Sequence, residues 1–361
     1  MQNHHHLRIA DARDLSWIAD DSIDLVVTSP PYPMIEMWDE LFLRLKPDIR
    51  EAMTEGEGQA VFEGMHEVLD PVWRELYRVI RKGGILCINV GDATRSLGPS
   101  FCLYSNHARI ISSCTATGFQ MLPEILWRKQ TNAPNKFIGS GTLPPGAYVT
   151  LEHEWILIFR KSKPREFATA DERRNRRESA FFWEERNVWF SDVWDFKGVR
   201  QHLSDRDRGK PGASGRDVRS RSAAFPFEMA YRLINMFSVK GDHILDPFAG
   251  CGTTTLAAMC AGRNSLGVEI EDNLIPFVQA QVNEIIPSAN RRILERLERH
   301  RLFVEDCRRS GRELKYTNRF YDFPVVSRQE QEILIEHLCS LTRVADLHWR
   351  IDYSPELSLR L

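Results

Sequence analysis

The sequence predicts an α/β fold built on a mostly parallel sheet. Short apolar runs that read as buried strands, residues 25–29 and 85–90 among them, alternate with longer stretches of helical periodicity. Two strand exits carry special turn chemistry, Thr28-Ser29-Pro30-Pro31-Tyr32 and Asp246-Pro247-Phe248-Ala249-Gly250-Cys251-Gly252. The composition, 42% hydrophobic and 27% charged over 361 residues, is that of a packed chain with one large domain or two ordinary ones.

Residues 7–10 and 25–29 read as the first two strands. Residues 60–82 place Val61, Met65, Val68, Leu69, Val72, Leu76 and Val79 on one helical face, and Lys82-Gly83-Gly84 closes that helix. The strand at 85–90 ends in Gly91-Asp92. A helix over 101–117 and strands near 121–128 and 154–160 follow. The texture then changes: residues 160–221 hold 17 Lys/Arg against 11 Asp/Glu, interleaved with Phe181, Phe182, Trp183, Trp189, Phe190, Trp194 and Phe196. Within it, 204–221 (SDRDRGKPGASGRDVRSR) has almost no apolar residues and reads as a mobile loop. A helix over 227–237, a strand over 243–245, the glycine turn with its helix, and a strand over 263–268 closed by Glu269 restore the α/β pattern. Beyond residue 285 the chain reads as a charged, helical extension.

No apolar run is long enough to cross a bilayer, and the opening MQNHHHLRIADA lacks an apolar signal region, so a cytoplasmic protein is expected. The seven cysteines include no C-x-x-C pair; free thiols and no metal site are expected. Net charge is −2, so any nucleic-acid surface must be local.

The turn at 246–254 lies between a strand and a helix, where glycines let the backbone approach a ligand and the helix start offers free N–H groups. It lacks the G-x-G-x-x-G spacing of a dinucleotide fold and the lysine of a phosphate loop. Glu269 ends the next strand, where a carboxylate takes ribose hydroxyls. A ligand with a ribose and no pyrophosphate, such as S-adenosylmethionine, suits this pattern. In TSPPY the two prolines stiffen the exit and hold Ser29 and Tyr32 at the open end of the sheet.

These motifs, in this order, resemble the β-class amino-methyltransferases of DNA, of the type found in type II restriction–modification systems. Ser29-Pro30-Pro31-Tyr32 matches that family's first motif, Phe248-x-Gly250-x-Gly252 its cofactor motif, and Phe225-Pro226 the element before the cofactor strand. Residues 124–129 (EILWRK) and 153–161 (HEWILIFRK) resemble its last sheet motifs. The resemblance implies a Rossmann-like, seven-stranded sheet with one antiparallel strand. It implies a catalytic half (1–160), a target-recognition insertion (161–222), a cofactor-binding half (223–285) and the helical extension (286–361).

It further implies transfer of a methyl group from S-adenosylmethionine to N4 of cytosine in double-stranded DNA, after the base is flipped out. Serine at position 29 is the family's mark of cytosine; N6 of adenine is the alternative, and a non-catalytic DNA-binding module the rival from another class. Ser29 and the Pro30 carbonyl would accept the amino N–H bonds, Pro31 would fix their direction, and Tyr32 would stack on the base. Asp11, Thr28, Phe225, Asp246, Pro247, Phe248, Gly250, Gly252, Thr253 and Glu269 are the expected cofactor residues. Arg173, Arg174, Arg176, Arg177, Arg206, Arg208 and Lys210 are the expected DNA contacts. A cognate endonuclease would be a functional partner, and the protein a monomer or homodimer.

Overall fold

One eleven-stranded sheet organises the chain in the computed structural model, which describes residues 1–98, 100–129, 138–198 and 225–355. Its main strands are β1 (Gln2–Ile9), β2 (Ile23–Thr28), β3 (Ile80–Val90), β4 (Ile125–Arg128), β5 (His153–Arg160), β6 (Val193–Asp195), β7 (His243–Asp246), β8 (Asn264–Glu269), β9 (His337–Ala345) and β10 (His348–Ser354). Their order is β6-β4-β5-β3-β2-β7-β8-β1-β10-β9, and a short strand, Gln120–Met121, pairs with β5. The seven strands from β4 to β1 run parallel except for β5. This is the Rossmann-like sheet the sequence implied, with β6 added at one edge and β10-β9 at the other.

The central strands read as unbroken apolar runs because helices cover both faces. Every residue of β2 is buried. Val26 points to a core shared with α2 (Gly58–Val79) and α3 (Asn106–Thr117). Leu25 and Val27 point to the core of the opposite face, under α6 (Phe227–Phe237), α7 (Thr253–Ala261) and α8 (Ile285–Arg309).

Three expectations need correction. The C-terminal extension is helical only to Arg309; β9 and β10 then continue the sheet beyond β1. The signal is a period of two, with Trp349, Ile351 and Tyr353 buried between half-buried His348, Arg350 and Asp352, and the strands cover an edge that β1 would otherwise expose. The helix expected from residue 101 begins at Asn106, because residues 100–104 pair with 93–97 in a hairpin. The described part of the expected insertion is no separate unit. Phe182, Trp189 and Trp194 are buried in the main core and β6 joins the sheet, so these aromatics serve packing.

Candidate active site

The strands β2, β7, β8 and β1 are consecutive neighbours and all end at the same edge of the sheet, at Thr28, Asp246, Glu269 and Ile9. The two motifs, more than two hundred residues apart, therefore emerge side by side. A cavity opens at this carboxyl edge, lined by Ser29, Pro30 and Pro31 from one motif and Asp246, Pro247, Phe248, Gly250 and Thr253 from the other. Asp11, Phe225 and Glu269 complete the set of expected residues that reach it. Sequence reasoning missed its apolar wall: Trp38, Leu41 and Phe42, on and beside α1 (Asp39–Leu45), with Val68, Leu69 and Val72 of α2. These residues read as ordinary helix core.

The glycine turn depends on its backbone. Gly250 has φ +50° and Gly252, which precedes the first turn of α7, has φ +78°, a region side chains avoid. Glu269 anchors the turn: its Oε2 accepts from Gly250 N at 2.7 Å, and Oε1 accepts from Ile270 N and Glu271 N, both at 2.9 Å. A carboxylate has about four lone-pair sites. Three are used, so one, on Oε2, is left for a ligand hydroxyl. Burial pushes this carboxyl above its ordinary range, and the three N–H groups offset part of that. The Cys251 thiol beside it is pushed up to about 11 by burial and by the charge of Glu269, which keeps it protonated.

Two expected cofactor residues have another engagement. Thr28 Oγ1 donates to Asp246 Oδ1 at 2.6 Å, Phe248 N donates to the same oxygen at 3.1 Å, and Thr254 Oγ1 donates to Asp246 Oδ2 at 2.7 Å. Thr28 and Asp246 thus join the strand that ends in Ser29 to the glycine turn. Asp11 accepts a bidentate pair of bonds from Arg13, with distances of 2.7 and 2.9 Å to Oδ2. Burial pushes its carboxyl up, and the Arg13 guanidinium and N–H outweigh that, leaving it below its ordinary range.

Tyr32 is turned inward. Its hydroxyl meets Ser29 Oγ at 3.0 Å, Asn89 Nδ2 at 2.8 Å and Glu154 Oε2 at 3.1 Å. Glu154, buried on β5, also takes Asn89 Nδ2 at 2.7 Å and Lys129 Nζ at 2.6 Å. Burial, then the Glu154 charge, push the phenol well above its ordinary range. Asn89, Lys129 and Glu154 were not singled out from the sequence. The available signal was an acid at the second position of an otherwise apolar strand.

The arginines expected to meet DNA are elsewhere. Because β5 runs against its neighbours, the chain leaves it at the amino edge, where Arg165 pairs with Asp242 at 2.6 Å. Helix α4 (Ala170–Glu178) packs there, with Asn175 Nδ2 on Lys240 O just before β7. Arg174 pairs with Asp171, Arg177 with Glu332; Arg173 bonds Ala168 O and Arg176 lies over the Phe167 ring. They stand a strand's length from the cavity, about 15–20 Å. Arg206, Arg208 and Lys210 lie outside the described residues. Alanine at Arg173, Arg174, Arg176 or Arg177 should leave DNA affinity and its salt slope unchanged in anisotropy titrations; a flatter slope would bring α4 back to the interface.

Among the described residues no helix is long and apolar enough to cross a membrane, and no group of three or more His, Cys, Asp or Glu could hold a metal ion. The family model described as DNA methylase, of the N6/N4 type, matches residues 23–280. The type II methyltransferase M.MthZI of Methanothermobacter thermautotrophicus is 50% identical over 335 residues, 92% of this chain and 90% of that one. M.MjaI of Methanocaldococcus jannaschii, another type II methyltransferase, is 47% identical over 77% of this chain and 91% of its own. Among solved structures, a DNA modification methylase of Thermus thermophilus, TTHA0409, complexed with S-adenosyl-L-methionine, superposes with a TM-score of 0.58 at 31% identity, covering 78% of this chain and 96% of that one.

Proposed function

The chain belongs to the N6/N4 DNA methylases, the S-adenosylmethionine-dependent amino-methyltransferases of restriction–modification type, and from that membership we propose that it methylates N4 of cytosine in double-stranded DNA. One observation carries the proposal: Ser29, at the position where the family's cytosine enzymes keep serine, lines the same cavity as the cofactor turn. Transfer requires donor and acceptor in contact, and neighbouring strands deliver both to one edge.

The residues present fit S-adenosylmethionine. Glu269 keeps one lone-pair site for a ribose hydroxyl. A Cβ at Gly250 would meet nothing closer than 3.8 Å, so the turn is open toward a ligand. The wall of Trp38, Leu41 and Phe248 suits an adenine ring. When bound, the cofactor supplies a methyl group already activated on a sulfonium sulfur, so the protein need only position the amino group. Ser29 Oγ and the Pro30 carbonyl accept its N–H bonds, which frees the nitrogen lone pair from conjugation with the ring. Tyr32, pinned at its hydroxyl, offers a fixed ring for stacking.

DNA would lie across the carboxyl edge, beside Arg128, Lys129 and Lys197. Helix α4 packs at the opposite edge, so within 161–222 we assign target recognition to the part outside that helix. The enzyme would act beside a cognate endonuclease, as a monomer or homodimer in the cytoplasm.

Mass spectrometry of nucleosides from plasmid DNA exposed to the protein should show N4-methylcytosine. Finding only N6-methyladenine overturns the base assignment and leaves the methyltransferase standing.

A further inference from the structure

The Tyr32 hydroxyl bonds have a forced direction. A carboxylate only accepts, so Tyr32 donates to Glu154 Oε2. Asn89 must present its NH₂ to that same carboxylate oxygen, so Nδ2 also donates to the phenol. The phenol has one proton and two lone pairs. Its proton is committed to Glu154 and one lone pair to Asn89, so Ser29 Oγ must donate to the other. Ser29 therefore turns its own lone pairs, not its proton, to the cavity it lines.

That arrangement suits an acceptor of an amino N–H bond, but a serine hydroxyl cannot keep a second proton. We propose that Glu154 is the final proton acceptor of the transfer, reached from the target amino group through the hydroxyls of Ser29 and Tyr32. The inference rests on the amino-methyltransferase reading above. As the new N–C bond forms, the electron pair of the broken C–S bond stays on sulfur, and one amino N–H bond must break. That proton goes to Ser29 Oγ, the Ser29 proton passes to Tyr32, and the Tyr32 proton ends on Glu154 Oε2. The sulfonium charge and the Glu154 charge disappear together, so the step is balanced without another reactant. Lys129 on Oε1 and Asn89 on Oε2 hold the carboxylate in place.

The test is Glu154→Gln, with Tyr32→Phe and the double variant. Glutamine keeps the shape and removes the proton acceptor, so kcat should fall roughly 10²-fold. S-adenosylmethionine affinity, read by calorimetry, should stay within about twofold, since Glu154 does not line the cofactor cavity. Glu154 faces Lys129 just past β4, Tyr32 from the exit of β2 and Asn89 from β3; the His107–Asp92 pair lies beyond Trp155. Tyr32→Phe should lose as much, and the double variant no more than either single one. Unchanged turnover in Glu154→Gln, or a double-variant loss that exceeds that of either single variant, overturns the relay. Wild-type protein that binds the cofactor yet methylates no DNA would instead overturn the reading beneath it.

Discussion

Replacing Glu269 by alanine should weaken S-adenosylmethionine binding at least about tenfold, the value of one charge-assisted hydrogen bond, roughly 1.5–3 kcal/mol. The carboxylate acts twice. Through Gly250 N, Ile270 N and Glu271 N it sets the shape of the turn, and its one remaining lone-pair site faces the ligand. The expectation from sequence was a carboxylate serving both ribose hydroxyls. With both lone-pair sites of Oε1 filled by backbone, the structure leaves room for one unless the turn rearranges. Alanine also strands three backbone N–H groups, so a lower melting temperature should accompany the lost affinity. Calorimetric titration of variant shown to be folded decides the matter. Unchanged affinity would put the cofactor outside this cavity and undo the shared-pocket account.

The sheet was legible because its strands carry unbroken apolar runs and its two motifs must meet; both facts lie in the residues themselves. Asp246 and Glu269 show where legibility ends. Each is an acid closing a strand beside the glycine turn, and sequence alone made both cofactor ligands. What separates them is Thr28, 218 residues before Asp246, whose hydroxyl occupies one of its oxygens. The arginines of α4 lie at the edge away from the cavity for a different reason. A charge run reports solvent exposure but not the edge of the sheet it decorates, and here the reversed direction of β5 decides that. Glu154 opened a strand recognised as a strand and Lys129 followed another, yet their pairing across β5 and the end of β4 appears only once register is known.

Asp246 should prove to be a strand lock whose effect depends on pH. Its carboxyl is fully enclosed and pushed up to about 6, chiefly by burial, with the Thr28 and Thr254 hydroxyls and Phe248 N pulling the other way. The folded state thus holds this proton more tightly than the unfolded chain does. The stability this contributes is complete below pH 4 and lost as pH rises through about 6, on the order of 3 kcal/mol. In Asp246→Asn every contact can survive. The amide oxygen still takes Thr28 and Phe248 N, and Thr254 can turn its proton to Val27 O, at 3.1 Å, while accepting from the amide nitrogen. That variant should therefore gain on the wild type between about pH 4.5 and pH 7.5, a difference read from urea midpoints in which all other carboxylates cancel. Asp246→Ala should do worse at both values, because it leaves Thr28 and Phe248 N buried without an acceptor, roughly 1–3 kcal/mol each. It should also lose turnover, since Ser29 follows directly on Thr28. A pH-independent gap between wild type and Asp246→Asn would refute the buried, protonatable lock. If Asp246→Asn instead lost cofactor affinity as Glu269→Ala does, Asp246 would be a direct ligand, as its place in the motif first suggested.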